Sequence, residues 1–116
     1  MDISIVILWL LFAAVTFVAD GMIGHFAANA LFIWKRFNKH ANYRRDYAPS
    51  FRSNVLYAWL AAGALFVAVS GLAACGENIP QTSQALALWL RGIILLSFFG
   101  LRLRALNKGA RWTKWG

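Results

Sequence analysis

The chain is short of the side chains that most chemistry needs. It holds a single cysteine, Cys75, so it can form no disulfide within itself and no cysteine-rich metal site. Its four acidic residues, Asp2, Asp20, Asp46 and Glu77, are dispersed along the sequence, which leaves no paired carboxylates for general acid–base work. There are two histidines, His25 and His40. A haem held between helices wants imidazoles that face one another at depth, whereas His40 follows Lys39 in a basic stretch. Asp20 and His25 are five residues apart, about 140° around a helix, the wrong count and spacing for a metal site. No enzyme activity, no cofactor and no metal ion are expected.

What is abundant is apolar sequence. Hydrophobic residues make up 60% of the 116 and charged ones 14%, against roughly 45–50% and 25% in ordinary globular domains. A water-soluble fold of this size could not hide so much apolar surface. Three long runs carry the excess: Ile3 to about Trp34, Val55 to about Cys75, and Ala85 to about Leu103. Each is near or above the roughly 18 to 20 residues a helix needs to cross about 30 Å of hydrocarbon. The sequence therefore predicts an all-α integral membrane protein with three transmembrane helices in a single membrane domain.

The net charge of +8 would suggest nucleic acid in a soluble protein, but the positions of the cations matter more than their sum. Lys35, Arg36, Lys39, Arg44, Arg45 and Arg52 fall between the first two runs; Arg102, Arg104, Lys108, Arg111 and Lys114 follow the third. The start of the chain and the stretch "GENIPQTSQ" carry none. The positive-inside rule then puts the N-terminus and an outer loop at 76–84 outside, with a loop at 35–53 and a tail at 104–116 in the cytoplasm. The cations read as topology signals beside anionic headgroups, so membrane lipids are expected partners and nucleic acid is disfavoured. "MDISIVILWLLFAAV" has no basic n-region, so a cleaved export signal is not expected.

The first run is too long for one simple crossing, since Ile3 to Trp34 as a straight helix extends roughly 48 Å. The favoured reading breaks it at the turn-type dipeptide Asp20-Gly21, giving a crossing over about 3–21 and an interfacial amphipathic helix at 22–34. Gly21, His25 and Asn29, spaced by four, would form the polar stripe of that helix, with Arg36 returning to it and Phe26, Leu31, Ile33 and Trp34 near its boundary. His25 and Asn29 would make a hydrogen-bonding patch. The other reading is one tilted helix with a polar middle. Asp20 would then lie at the depth of Arg91, the cation inside the third run, and the two could pair and offset part of the ~2.5–3.5 kcal/mol that each costs alone in a membrane. Under the broken-helix reading Arg91 snorkels outward instead.

The second run, read as a helix over about 54–75, carries small residues four apart: Ala58 with Ala62, Ala64 with Ala68, and Ser70 with Ala74. In lipid such spacing lets helix backbones approach closely, so this helix is expected to pack against neighbours. The third, over about 85–103, is bracketed by Trp89 and by Arg102 and Arg104, with Gly109 as a helix stop. Trp112 and Trp115 among Arg111 and Lys114 suit a segment on the cytoplasmic leaflet.

The stretch "LAAC", Leu72 to Cys75, after an apolar run and Arg52, resembles the lipobox of bacterial lipoprotein signals. It is internal to the chain, and lipidation of Cys75 is not expected. The whole layout of three crossings, outward N-terminus and basic cytoplasmic tail is similar to that of class I phage holins, a resemblance of topology and size without a residue motif. Small three-helix subunits of larger membrane assemblies share it. The leading expectation is a non-catalytic structural or assembly subunit of a larger complex in the bacterial inner membrane, partnered by other membrane subunits or by itself. A holin-like self-assembling pore former in the membrane of a phage-infected host is the alternative.

Overall fold

The computed structural model describes residues 3–37 and 41–108, excepting the side chains of 36, 37, 41–47 and 78. His40, Gly109 and the tail with Arg111, Trp112, Lys114 and Trp115 lie outside the described residues. The described residues form three helices, α1 (Ile3–Phe37), α2 (Ala41–Cys75) and α3 (Gln81–Asn107), with a 3₁₀ turn at Gly76–Asn78 joining the last two. Each contains a segment long and apolar enough to cross a membrane, at Ile3–Lys35, Ala48–Cys75 and Gln81–Asn107. The protein is all-helical, and its three apolar helices fit a transmembrane protein.

Several expectations about boundaries need correction. The break at Asp20-Gly21 does not occur, because α1 is a single helix through Phe37. A glycine inside a helix costs only about 1 kcal/mol relative to alanine. Opening the ladder in apolar surroundings would strand backbone N–H and C=O groups at several kcal/mol each. Nor is 22–34 a solitary surface helix, since Phe26, Ala28, Phe32 and Ile33 are buried against the other helices. The predicted 35–53 loop is largely helical, as α2 already begins at Ala41. Loss of apolarity marks where hydrocarbon would end, but a helix can continue past that point. Pro49 sits inside α2, where it removes one backbone donor near the polar end of the element.

The connection between α2 and α3 is shorter than the expected 76–84. Pro80 precedes the first turn of α3, and Gln84 closes the bend by donating from Nε2 to the carbonyls of Gly76 at 2.8 Å and Ile79 at 3.1 Å. That side chain answers the carbonyls a helix C-terminus leaves open.

The helices run up, down and up. Trp9 and Ala13 near the start of α1 cluster with Leu72 and Cys75 at the end of α2 and with Ile79 and Ala87 at the start of α3. α1 is the middle helix. It packs along both others, while α2 and α3 make at most marginal contact with each other. The result is an elongated body of 59 × 22 × 19 Å.

Burial is inverted relative to a soluble domain. Beside Trp9, Phe26, Phe32, Ile33 and Leu106, much of the interior is small or polar, among it Ala13, Thr16, Asp20, Ala28, Asn29, Asn54, Ala61 and Ala68. Large apolar residues such as Leu11, Trp59, Phe66, Leu88, Trp89 and Leu96 face outward. A surface of that kind requires an apolar solvent, and in such a solvent close packing and hydrogen bonds take over as what holds helices together. Gly24 marks the tightest crossing: a Cβ there would lie 2.6 Å from the Leu95 carbonyl oxygen and 3.0 Å from the Phe99 nitrogen. Only glycine lets the α1 and α3 backbones meet at that point.

Candidate functional site

The helical register places Asp20, Asn29, Asn54, Arg91 and Arg102 in two layers across the bundle. The first is an ion pair between α1 and α3. Arg91 Nε donates to Asp20 Oδ2 at 3.0 Å, with the side chains 19% and 5% exposed. Thr16, one turn before Asp20, is fully buried and turns its hydroxyl back to the Ala13 carbonyl at 2.6 Å, so it adds no cross-helix bond there.

The second layer joins all three helices. Asn29 of α1 is fully buried; its Nδ2 donates to Asn54 Oδ1 of α2 at 3.1 Å, and its Oδ1 accepts from Arg102 Nε of α3 at 2.8 Å. Asn54, also fully buried, completes the chain by donating from Nδ2 to the Ser50 carbonyl at 2.8 Å. The layers are nine residues apart along α1 and eleven along α3, roughly 14 and 16 Å of helix. Parallel helices can satisfy both only in one register, so together the layers act as a pair of pins.

Of the residues singled out in the sequence, Asp20 and Arg91 are therefore brought together. His25 and Asn29 lie one turn apart on α1, and Asn29 bonds to Asn54 and Arg102 rather than to His25. The Nε2 of His25 is buried with no hydrogen-bond partner among the described residues, and the ring meets Phe26 edge-on at 5.3 Å. Phe26 in turn stacks on Tyr57 of α2 at 5.3 Å. His25 also borders an apolar groove of about 520 Å³ beside Phe17, Met22 and Phe98.

The small residues of α2 divide into two sets. Ala68 is buried and Ala58 and Ala62 are half-buried, but Ala64, Ser70 and Ala74 are exposed. The stripe that packs on α1 repeats every seven residues, Asn54, Ala61 and Ala68, as a close helix pair requires. Sequence reading missed Asn54 and Arg102, taking each for a boundary residue. The seven-residue spacing from Asn54 through Ala61 and Ala68 to Cys75 was the available signal.

Chemically the arrangement holds and orients. No group of three histidine, cysteine or acidic side chains that could hold a metal ion comes together among the described residues. Cys75, a free thiol at the end of α2, is half-buried within the cluster around Trp9. No family model, curated protein or solved structure matches the chain.

Proposed function

We propose that this chain is a non-catalytic structural or assembly subunit of a larger membrane complex, seated in a bacterial inner membrane with its N-terminus outside and its basic end in the cytoplasm. The observation that carries the reading is a set of small residues on the face of α2 turned away from α1, beside the exposed Val67. Gly63, Ser70 and Ala74 fall within about 40° of one another around the helix, and all three point away from the chain's own α1. They are exposed, and nothing lies within 4 Å of a Cβ built at Gly63. Small residues in lipid are useful where a second backbone must come close. The polar layers support the same reading, because they use Asp20, Asn29, Asn54, Arg91 and Arg102 to fix the subunit's own register. A holin-like pore would instead need those groups turned toward water.

The test is extraction in mild detergent followed by native mass measurement. The expected species contains this chain with other subunits, and the triple variant Gly63→Leu, Ser70→Leu, Ala74→Leu sheds them while staying helical. A stable, homogeneous species made of this chain alone counts against the proposal. Expression with a membrane-potential dye separates the pore reading, which requires collapse of the potential above a threshold level. Reporter fusions at both ends check the orientation.

A further inference from the structure

Arg91 spends only part of its hydrogen-bonding capacity inside the chain. A guanidinium carries N–H groups on three nitrogens. Nε donates to Asp20 Oδ2 at 3.0 Å, while neither terminal nitrogen has a partner among the described residues and the side chain is 19% exposed.

The pair is also far from both ends of the apolar spans. The span of α2 ends at Cys75, which clusters with Trp9 of α1. From Cys75 back to Asn54 of the second polar layer is about 32 Å of helix, close to the thickness of the hydrocarbon. Along α1, Asp20 lies about 16 Å from Trp9 and about 14 Å from Asn29. While Nε stays on Asp20, the guanidinium is therefore held near the midplane, where unpaired N–H groups have no water to turn to.

We propose that the free edge of the Arg91 guanidinium is the docking point for a transmembrane helix of another subunit that presents a neutral oxygen acceptor, an amide or hydroxyl side chain, at mid-membrane depth. The Asp20–Arg91 pair is already neutral, so a carboxylate partner would bring a net charge to the midplane, and an amide or hydroxyl would not. The second layer uses the same chemistry within the chain, where Asn29 Oδ1 accepts from Arg102 Nε at 2.8 Å. A second copy inserted in the same direction does not supply the acceptor: the exposed residues within a turn of that depth, such as Met22 on α1, Ala64 on α2 and Trp89 on α3, carry no side-chain acceptor. The docking point deepens the assembly reading and rests on it.

The test uses the full chain in bilayers and a synthetic Leu/Ala transmembrane helix with one Asn at its midpoint, where the depth is the same in either insertion direction. Förster transfer from the labelled chain should report an affinity for this helix about three- to tenfold above that for the same helix with Leu at the midpoint, the factor for one interhelical hydrogen bond. Moving the Asn two turns toward either end should abolish the preference, as should the double variant Asp20→Leu, Arg91→Leu. Ser97→Ala should leave it intact, and circular dichroism confirms that each variant remains helical.

Equal affinity for the Asn and Leu helices overturns the docking point. So does a preference that survives the double variant, which would put the contact elsewhere, or one indifferent to the position of the Asn. A chain that shows the preference yet purifies alone as a homogeneous species would support the docking chemistry and overturn the assembly reading, a failure distinct from loss of the preference.

Discussion

Removing one member of the Asp20–Arg91 pair should cost far more than removing both. Asp20→Leu leaves the Arg91 guanidinium, 19% exposed beside α1, without the carboxylate that accepts from it at 3.0 Å. An uncompensated charge inside an apolar span costs about 2.5–3.5 kcal/mol on insertion scales, and breaking a buried pair in water-soluble proteins costs about 3–5 kcal/mol. With Arg91 partly exposed and able to snorkel, the lower end applies, about 2–3 kcal/mol. Arg91→Leu strands Asp20, which is 5% exposed and has a short side chain that cannot reach a boundary; that variant should be the worse of the two. The double variant Asp20→Leu, Arg91→Leu removes both desolvated charges and should fall within about 1 kcal/mol of the parent, giving a coupling energy of about 2 kcal/mol or more. Reversible unfolding of the detergent-solubilised chain, followed by loss of helical ellipticity against denaturing detergent, measures all four species. Additive single costs, or singles no worse than an exposed Ser97→Ala control, would refute the argument that the pair is a desolvated tie between α1 and α3.

Three further outcomes follow from the same geometry. Asn29→Leu should lose about 2–3 kcal/mol, because it removes two cross-helix bonds, to Asn54 Oδ1 and from Arg102 Nε, and more than Asn54→Leu, which leaves the Arg102–Asn29 bond in place; the same unfolding assay ranks them. Gly24→Ala should cost about 1–3 kcal/mol by forcing the α1 and α3 backbones apart, whereas Gly92→Ala and Gly100→Ala, with nothing within 4 Å of a Cβ, should be neutral or gain a few tenths from helix propensity. In a Cys75→Ser background, cysteines placed at Asn29 and at Trp89 should differ sharply in labelling by a membrane-permeant thiol reagent, with Asn29→Cys protected because the position is fully buried.

Apolar run length fixes the number and class of helices because nothing but lipid can solvate so much hydrocarbon, and that inference needs only composition. Boundaries and packing were less legible for a single reason: hydropathy reports the solvent around a helix, and these helices are longer than their apolar solvent. It therefore read 41–53 as loop although α2 continues through it, and it read Asp20-Gly21 as a break although the ladder is unbroken. The same logic hid the second polar layer. Asn54 and Arg102 stand at the edges of their runs, where a polar residue looks like a boundary marker, and only the third partner, Asn29 on α1, turns them inward. Asp20 and Arg91 were recoverable because each interrupts an apolar run, where an unpaired charge is expensive enough to demand a partner. Small-residue spacing was ambiguous on its own, since α2 carries two such faces. α1 covers the one containing Asn54, Ala61 and Ala68 and leaves the one containing Gly63, Ser70 and Ala74. The exposed Gly63, Ser70 and Ala74 leave room on the lipid-facing side of α2, and on that room the proposed assembly role rests.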